Sequence, residues 1–398
     1  LLMPNGQFGT RIMGGHDSAS SRYIHTELNK IVDLIFPSID FQIIDYEYDD
    51  GIKVEPKYYV PIIPMVLVNG MNGIGTGFST SIPKYNPIDV INNIKKKLEN
   101  KEYEEIKPWY NNFKGDIIKL DDQNYLSKGK YEIINKNTIK ITELPIGKWT
   151  DDYKKFLDTL LPEEKKKKSK EKEKKSTKPK KCIIDYINNS SDKHVEFIIT
   201  VPIGFISGLQ WSDDEHIDGI EKFFKLHNTK GLSLKNIHLY NKDKIIKLNS
   251  VNEIFDLHYE ERYNIYEKRK EYILTNLSND LQILESKIKF IEDVISDTII
   301  IYKRKKQDII NDLIENEYPE VINKKIVKSD DKKYPNGYDY LTKMSIELFT
   351  EEEIIKLKEE YEKIKLKYDT LIKQTIKDIW LEECNALLKY YKKLKLNK

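Results

Sequence analysis

An arginine–tyrosine pair, Arg22–Tyr23, follows a run of small and polar residues at 14–21. A phenol is a poor nucleophile at neutral pH, because its ordinary pKa is about 10. Its phosphate ester, however, conserves the free energy of a broken phosphodiester, and Arg22 could offer that phosphate a planar fork of donors. The pair therefore suits reversible phosphoryl transfer, although a packing role is more common for such a pair and these residues alone favour it.

Apolar residues recur at helical spacing directly after the pair, at Ile24, Leu28, Ile31, Val32 and Ile35. This spacing predicts a helix over about 24–36. Tyr23 would then lie near a helix N-terminus, where unpaired backbone N–H groups favour an anion.

A glycine-rich loop follows an apolar run at 61–69 and presents Ile74 between Gly73 and Gly75. The glycine spacing does not match a dinucleotide fingerprint, no Gly-Lys-Ser/Thr of an ATP-type loop occurs, and FSTSIP after it is typical of a turn rather than a helix. An exposed isoleucine on such a loop could insert as a wedge between the base pairs of a duplex. The alternative is that Ile74 points inward and the glycines only form a tight turn.

The 398 residues predict two or three domains. Charged residues make up 33% and the net charge is only +2, so much of the chain must be solvated helix and the overall charge says little about partners. Cys182 and Cys384 lie far apart without metal-ligand spacing, which argues against a disulfide framework or a zinc site. Since no run of about 18 apolar residues occurs, we expect no membrane span.

Composition and predicted secondary structure divide the chain into three zones, 1–62, 63–248 and 249–398. In the first zone, Asp50–Gly51 predicts the turn of a hairpin. The second is rich in predicted strands, including a hairpin over 129–145. It contains a lysine-rich segment, 163–181, which we expect to be a disordered loop insertion because it has no apolar residue to bury. The alternative for this segment is a nuclear-localisation signal or a nucleic-acid-binding role.

The third zone is predicted to be helical. Ser250 and Thr350 are each followed three residues later by a glutamate, the pattern of a capping box. Matching apolar stripes after the two boxes predict an antiparallel coiled coil, whose first helix would reach on the order of 60 Å. The segment at about 300–349 would form a small helical domain at the far end of this arm.

Several strings, in order along the chain, together resemble the breakage–reunion region of eukaryotic-type DNA topoisomerase II. They are GQFGTR at 6–11, GGHDSASSRYIHT at 14–26, VEPKYYVPIIPMVLVNGMNGIGTGFSTSIP at 54–83, NNFKGDI at 111–117, ITELPIGKWT at 141–150, FKLH at 224–227 and YDYLTKMSIELFT at 338–350. The catalytic neighbourhood differs from the pattern of the bacterial gyrases.

The resemblance implies roles at matching positions. Tyr23 would be the nucleophile that takes a DNA 5′-phosphate, Arg22 would steady the transition state, and Ile74 would intercalate. Further DNA contacts are expected at Arg11, His16, Trp149, Lys225, Leu226, His227, Asn228, Thr229 and Lys230. His16 and His25 depart from the family pattern, and the match after FKLH is loose.

The resemblance also implies a fold class: α+β and multidomain. Residues 1–62 would be the C-terminal part of a winged-helix domain, 63–248 a tower domain, and 249–398 a coiled-coil arm whose gate, at about 300–349, joins two copies into a homodimer. The acidic cluster that binds Mg²⁺ and the ATPase domain are not found, so we expect a fragment that is inactive by itself and takes Mg²⁺ and ATP through other domains.

Double-stranded DNA is therefore the expected partner, and the nucleus the expected location. The alternative function is a non-catalytic DNA-binding module in which a coiled coil joins two copies. Replacing Tyr23 by Phe would discriminate the two, because only the enzyme depends on the phenol.

Overall fold

The computed structural model describes residues 1–3, 5–75, 77–162, 182–209, 214–242, 244–327 and 337–396. The lysine-rich segment 163–181, predicted to be disordered, lies outside these ranges. The chain divides into two compact units: unit 1 contains Leu1–Phe36, Pro61–Glu260 and Cys384–Lys398, and unit 2 contains Pro37–Val60 and Glu261–Glu383. The α+β class is confirmed, whereas the three-domain boundaries stay a prediction.

Helices of the described ranges vary from a single turn to 45 residues. They are α1 (Ile31–Ile35), α2 (Met65–Asn69), α3 (Pro87–Leu98), α4 (Thr150–Leu160), α5 (Phe205–Leu209), α6 (Gly219–Phe223), α7 (Val251–Ile295), α8 (Lys306–Glu315), α9 (Asp339–Thr342), α10 (Glu351–Lys373) and α11 (Ile376–Leu396). Within the described ranges, none is long and apolar enough to cross a membrane.

The strands pair antiparallel in small sheets. They are β1 (Tyr46–Asp49), β2 (Ile52–Pro56), β3 (Met71–Gly75), β4 (Phe78–Ile82), β5 (Asp116–Lys119), β6 (Tyr125–Lys128), β7 (Lys130–Asn135), β8 (Thr138–Glu143), β9 (Asp185–Asn188), β10 (Phe197–Thr200), β11 (His227–Asn228), β12 (Ile237–Asn241), β13 (Lys244–Leu248), β14 (Glu320–Ile322) and β15 (Lys325–Val327).

The main core of unit 1 lies against a four-stranded sheet with the order β7-β8-β10-β9. Alternate residues of its central strands are fully buried, for example Ile139 and Ile141 on β8, because a strand presents every second side chain to the same face. Tyr153 and Leu157 of α4 pack on that face. The predicted hairpin within 129–145 is confirmed as β7–β8.

The N-terminal helix is shorter than the spacing predicted, and this prediction was wrong for residues 24–30. Residues 21–23 form a 3₁₀ helix and Ile24 is extended, while α1 begins only at Ile31. The backbone at 27–29 pairs with the first residues of the chain, where Met3 N–H donates to Glu27 O (2.9 Å) and Asn29 N–H donates to Leu1 O (2.8 Å). This tertiary pairing overrides helical spacing, so Tyr23 is not at the N-terminus of an α-helix.

Unit 2 contains the β1–β2 hairpin, as predicted, with both Asp50 and Gly51 at positive φ. The antiparallel helix pair is also confirmed. Lys358 of α10 pairs with Glu292 near the end of α7 (2.8 Å), while Lys270, nearer the middle of α7, donates to Gln374 O beyond the end of α10 (2.6 Å). The two helices therefore run in opposite directions.

The first of the two predicted capping boxes forms only in part, because the Glu253 carboxylate binds the backbone N–H of Asn249 instead of that of Ser250. Glu253 N–H donates to Ser250 Oγ (3.3 Å), and the Glu253 carboxylate accepts from Asn249 N–H (3.1 Å). Thr350 makes no side-chain cap and instead donates to Glu347 O (3.4 Å), so the second box was a wrong prediction.

Buried ion pairs organise the base of the helix pair within unit 2. Arg262 and Arg269 of α7 both bind the buried carboxylate of Asp40, at 2.6 Å each, and Arg269 also binds Glu383 of α11 (2.6 Å). Burial opposes the charge of Arg269, but its hydrogen bond to Asp40 and the charge of Glu383 hold its pKa above the ordinary value.

The predicted small domain at about 300–349 has a core of its own. Leu313 of α8 and Leu341 of α9 are buried there with Phe290 of α7 and Tyr318. Unlike the prediction, the segment is not purely helical, since β14 and β15 form a hairpin.

Candidate nucleic-acid interface

A cleft of about 740 Å³ opens on unit 1. We call it the cationic cleft, because every charged side chain that lines it in the described part of the chain is basic. Its lining includes Arg11, Lys84, Lys148, Lys230, Trp149, Tyr110, Asn72 and Asn228. The three lysines and several amides around one concave surface suit a polyanion.

The charge of Arg11 is already paired within the wall of the cleft. Its guanidinium binds the carboxylate of Glu143 through both terminal nitrogens. Glu143 is buried and also accepts from the backbone N–H groups of Lys114 (3.1 Å) and Leu144 (2.8 Å). Removing Arg11 would leave this buried carboxylate without its counter-charge, which is strongly destabilising, so Arg11 supports the wall of the cleft.

Trp149 stands at the N-terminus of α4 and packs on the loop that carries Arg11. Gly14 of that loop has φ +62°, and a Cβ there would overlap the indole ring of Trp149. Asp151 N–H donates to Ile12 O (2.9 Å), which fixes the same loop to α4. Arg11 and Trp149, separated by more than a hundred residues, are thereby brought to one surface.

Lys148 sits half-buried beside Trp149 and its ammonium donates to Lys225 O. Burial lowers the pKa of Lys148 to about 8, and the positive charge of Lys225 acts in the same direction. Burial, and after it the charge of Lys148, lower the pKa of His227. A phosphate in the cleft would offset the repulsion between Lys148 and Lys225.

The predicted DNA-contacting segment 225–230 divides into inward and outward residues. Leu226 is fully buried in the unit 1 core, and its backbone bonds to Glu221 and Gly129, so it does not fit a DNA-contacting role. The helical-to-strand transition here turns this side chain inward. Asn228 lines the cleft with its amide on Ile146 O (2.7 Å).

For the remaining residues of this segment, contact with DNA stays a prediction. Lys230 is exposed at the cleft, Lys225 is exposed with its ammonium 4.4 Å from the ring centre of Phe156, and Thr229 is exposed. His227 is half-buried in β11.

Tyr23 and Arg22 are exposed at the end of the 3₁₀ helix, and Tyr23 has 66% of its surface accessible. The Arg22 guanidinium lies 4.8 Å from the centre of the Tyr23 ring. In the described part of the chain, no hydrogen bond or ring contact joins Tyr23 to Arg11, His16 or Ile74. His16 is likewise exposed, on the loop that Thr10 and Asp17 close by hydrogen bonds of 2.6 and 2.8 Å.

Ile74 projects from the β3–β4 hairpin. Its side chain is 87% exposed, so the inward orientation does not occur. The first five residues of FSTSIP, Phe78–Ile82, form β4 because they pair with β3, so the expectation of a turn was wrong. Met71 and Asn72, at the start of the same hairpin, line the cationic cleft.

Sequence reasoning missed Lys84 and Lys148. Lys148 precedes Trp149 directly, and a basic residue beside an aromatic one is a recognisable signal for nucleic-acid binding. Lys84 follows the hairpin by two residues and offers no comparable signal, because its place on the cleft depends on the tertiary fold.

Among residues with described positions, no three His, Cys, Asp or Glu side chains come together as a metal site would require. These residues therefore do not fit a bound Mg²⁺.

The cationic cleft and the exposed apolar hairpin that borders it suit a nucleic-acid-binding protein. Residues 1–385 match the family model of the DNA gyrase/topoisomerase IV A subunits. The chain is 36% identical to "DNA topoisomerase 2" of Acanthamoeba polyphaga mimivirus over 98% of its length and 36% identical to that of Arabidopsis thaliana over 100%. The chain thus belongs to the type II DNA topoisomerases, in the DNA gyrase/topoisomerase IV family.

A solved structure supports the same assignment. The crystal structure of the Plasmodium falciparum topoisomerase II DNA-binding, cleavage and re-ligation domain matches with a TM-score of 0.80 and 32% identity, covering 100% of this chain and 53% of that one. This chain spans 34% of the mimivirus protein and 27% of the Arabidopsis protein.

Proposed function

We propose that the polypeptide carrying this chain breaks and rejoins both strands of duplex DNA through a phosphotyrosyl bond at Tyr23, and passes a second duplex through the break. The observation that carries the proposal is the cationic cleft, together with the exposed phenol of Tyr23, twelve residues after Arg11 of its wall. The cleft would hold the phosphate backbone, whose binding is largely electrostatic.

In the proposed step, Tyr23 Oη attacks a backbone phosphorus. An Oη–P bond forms, the bond from phosphorus to the 3′ oxygen breaks, the phenolic proton is lost, and the departing oxygen gains a proton as a 3′-hydroxyl. Resealing reverses each of these changes without an outside energy source. Arg22, whose guanidinium lies 4.8 Å from the centre of the Tyr23 ring, is proposed to donate to the phosphoryl oxygens as charge builds on them.

Ile74 is the proposed wedge between two base pairs. An apolar side chain that is almost fully exposed gains burial when it enters a base stack, and this gain offsets part of the unstacking cost, which is a few kcal/mol. The resulting bend would let the duplex follow the cleft.

The whole protein is proposed to use Mg²⁺ and ATP, the cofactors expected from the family resemblance. The described residues do not fit a metal site, so the proposed Mg²⁺ would be held by other domains of the whole protein. Homodimerisation through residues 300–349 is also proposed, supported by Ile300, Tyr302 and Ile346, which expose 40%, 64% and 88% of their surfaces. We propose a nuclear location.

The test uses the full polypeptide with supercoiled plasmid, Mg²⁺ and ATP. After denaturation with detergent, protein covalently joined to DNA is measured for wild type and Tyr23→Phe, and duplex binding is measured in parallel. We expect the adduct to vanish in Tyr23→Phe while binding persists. Equal adducts in both proteins would place the nucleophile elsewhere, and no adduct in either would favour a non-catalytic DNA-binding module.

A further inference from the structure

We propose that His238 on β12 is a positioning residue for DNA bending, because it holds the β3–β4 hairpin so that Ile74 meets the duplex at a fixed angle. The inference rests on the proposed wedge role of Ile74. It adds a residue outside the hairpin, more than 150 positions along the chain, on which that role depends.

The hairpin has little support of its own. Every described residue of β3 is exposed, and a two-stranded hairpin is at best marginally stable by itself in water. A wedge that unstacks base pairs must withstand the force of the stack. The orientation of Ile74 must therefore come from whatever grips the partner strand β4.

His238 makes that contact. Its Nδ1 lies 2.8 Å from Ser79 O, and because a carbonyl oxygen can only accept, Nδ1 carries the hydrogen and donates. The His238 backbone N–H faces Thr80 Oγ1 (3.3 Å), and its ring lies 5.5 Å from the ring of Phe78. One histidine thus touches three consecutive residues of β4.

The middle residue of the three is directly opposite the wedge. Ser79 pairs with Ile74 in the register of the hairpin. Asn236, two residues before His238, adds a side-chain hydrogen bond to Ser79 Oγ and accepts from Ser81 N–H through its carbonyl (2.8 Å). The contacts from β12 therefore converge on the point of β4 that backs Ile74.

This geometry predicts that DNA bending and DNA affinity depend on different residues. The bend depends on the angle of Ile74, whereas affinity comes mainly from phosphate contacts in the cationic cleft. Loss of the His238 contacts should release the hairpin and lower the bent fraction of bound DNA while the cleft still binds the backbone.

The experiment measures energy transfer between dyes at the two ends of a short duplex saturated with the full polypeptide, and affinity by fluorescence anisotropy. His238→Val removes the donor and the ring, whereas His238→Asn keeps a donor near the position of Nδ1. Tyr240→Val is the matched control, since Tyr240 lies on the same strand and is 74% exposed. Ile74→Ala reports the wedge itself.

We expect His238→Val and Ile74→Ala to lower the bent fraction by a similar factor, with affinity changed less than about threefold because the phosphate contacts remain. His238→Asn should recover part of the bend, and Tyr240→Val should match wild type. Wild-type bending in Ile74→Ala would overturn the wedge. Reduced bending in Ile74→Ala with wild-type bending in His238→Val would overturn the role of His238 alone, as would a joint loss of bend and affinity that Asn does not rescue.

Discussion

Lys148 combines two properties that oppose each other. It lines a cleft suited to phosphate, yet its ammonium is half-buried and lies near Lys225, which lowers its pKa to about 8. A DNA phosphate would stabilise the charged form and so raise this pKa. Binding therefore takes up a proton at Lys148 once the pH exceeds about 8.

This linkage predicts that duplex affinity falls between pH 7 and pH 9. Above pH 8 the free protein is mainly neutral at Lys148, and binding must supply the proton at a cost. Loss of one charge-assisted hydrogen bond corresponds to roughly a tenfold change in affinity. Anisotropy titrations across this pH range measure the change in duplex affinity. His227 does not contribute to the change, because its pKa is lowered and the ring is already mainly neutral at pH 7.

Lys148→Arg is the control for this prediction, because a guanidinium stays charged at pH 9. Its affinity should be nearly independent of pH over this range, and Lys148→Met should bind weakly at every pH. The same pH dependence in Lys148→Met as in wild type would show that another group titrates.

Gly14 and Gly15 offer a matched pair at the same turn. Both have positive φ, 62° and 85°, so an alanine at either position carries backbone strain of about 1–2 kcal/mol. Only at Gly14 would the new methyl group meet the indole of Trp149, since nothing lies within 4 Å of a Cβ at Gly15.

We expect Gly14→Ala to weaken duplex binding clearly more than Gly15→Ala, because only the first displaces Trp149 from the wall of the cleft. Overpacking of this kind costs about 1–3 kcal/mol. Binding titrations and thermal unfolding of both variants measure it. Equal effects of the two alanines would mean that strain, rather than the Trp149 contact, sets the geometry.

At the scale of elements, local signals predicted local structures well. The β1–β2 hairpin follows from Asp50–Gly51, which can both adopt positive φ, and the antiparallel helix pair follows from two apolar stripes. The helix over 24–36 failed because residues 27–29 pair with the first residues of the chain. That partner is distant in sequence, so periodicity in one window does not reveal it.

The base of the helix pair depends on Asp40. Replacing Asp40 by Asn would leave Arg262 and Arg269 buried with less compensation for their charges. We expect the free energy of unfolding to fall by about 3–5 kcal/mol, as for other broken buried ion pairs. Chemical denaturation followed by circular dichroism measures the change.

Glu292→Gln provides the comparison in the same unit. It breaks the exposed pair between Glu292 and Lys358, which should cost no more than about 1 kcal/mol. A similar loss from both substitutions would contradict the special role of the buried network.

At the scale of the molecule, the cationic cleft is assembled from segments scattered over more than 200 residues. Arg11, Trp149 and Lys230 were singled out from the sequence because they resemble known positions. Their convergence was not predictable from spacing, and neither was the burial of Leu226 within the same segment as Lys230. The convergence of the cleft residues and the burial of Leu226 both depend on tertiary packing, which leaves no signal in a short stretch of sequence.

The cleft predicts the salt dependence of binding. Each lysine that neutralises one phosphate contributes about 0.9 to the slope of log affinity against log salt concentration. Lys230→Gln should therefore reduce the slope by about 0.9, whereas Lys363→Gln, on the exposed side of α10, should leave it unchanged. Titrations at several salt concentrations measure both, and an unaltered slope in Lys230→Gln would remove this residue from the interface.

The pairing of Arg11 with Glu143 should constrain how these two positions change during evolution. The two residues are 132 positions apart, yet each neutralises the other at a buried site. A substitution at one position alone leaves the other residue with an unpaired charge, which is destabilising. A lineage that loses the arginine should therefore replace the glutamate as well. Among relatives, the two positions should vary together, and their joint inheritance would record this contact in sequences without structures.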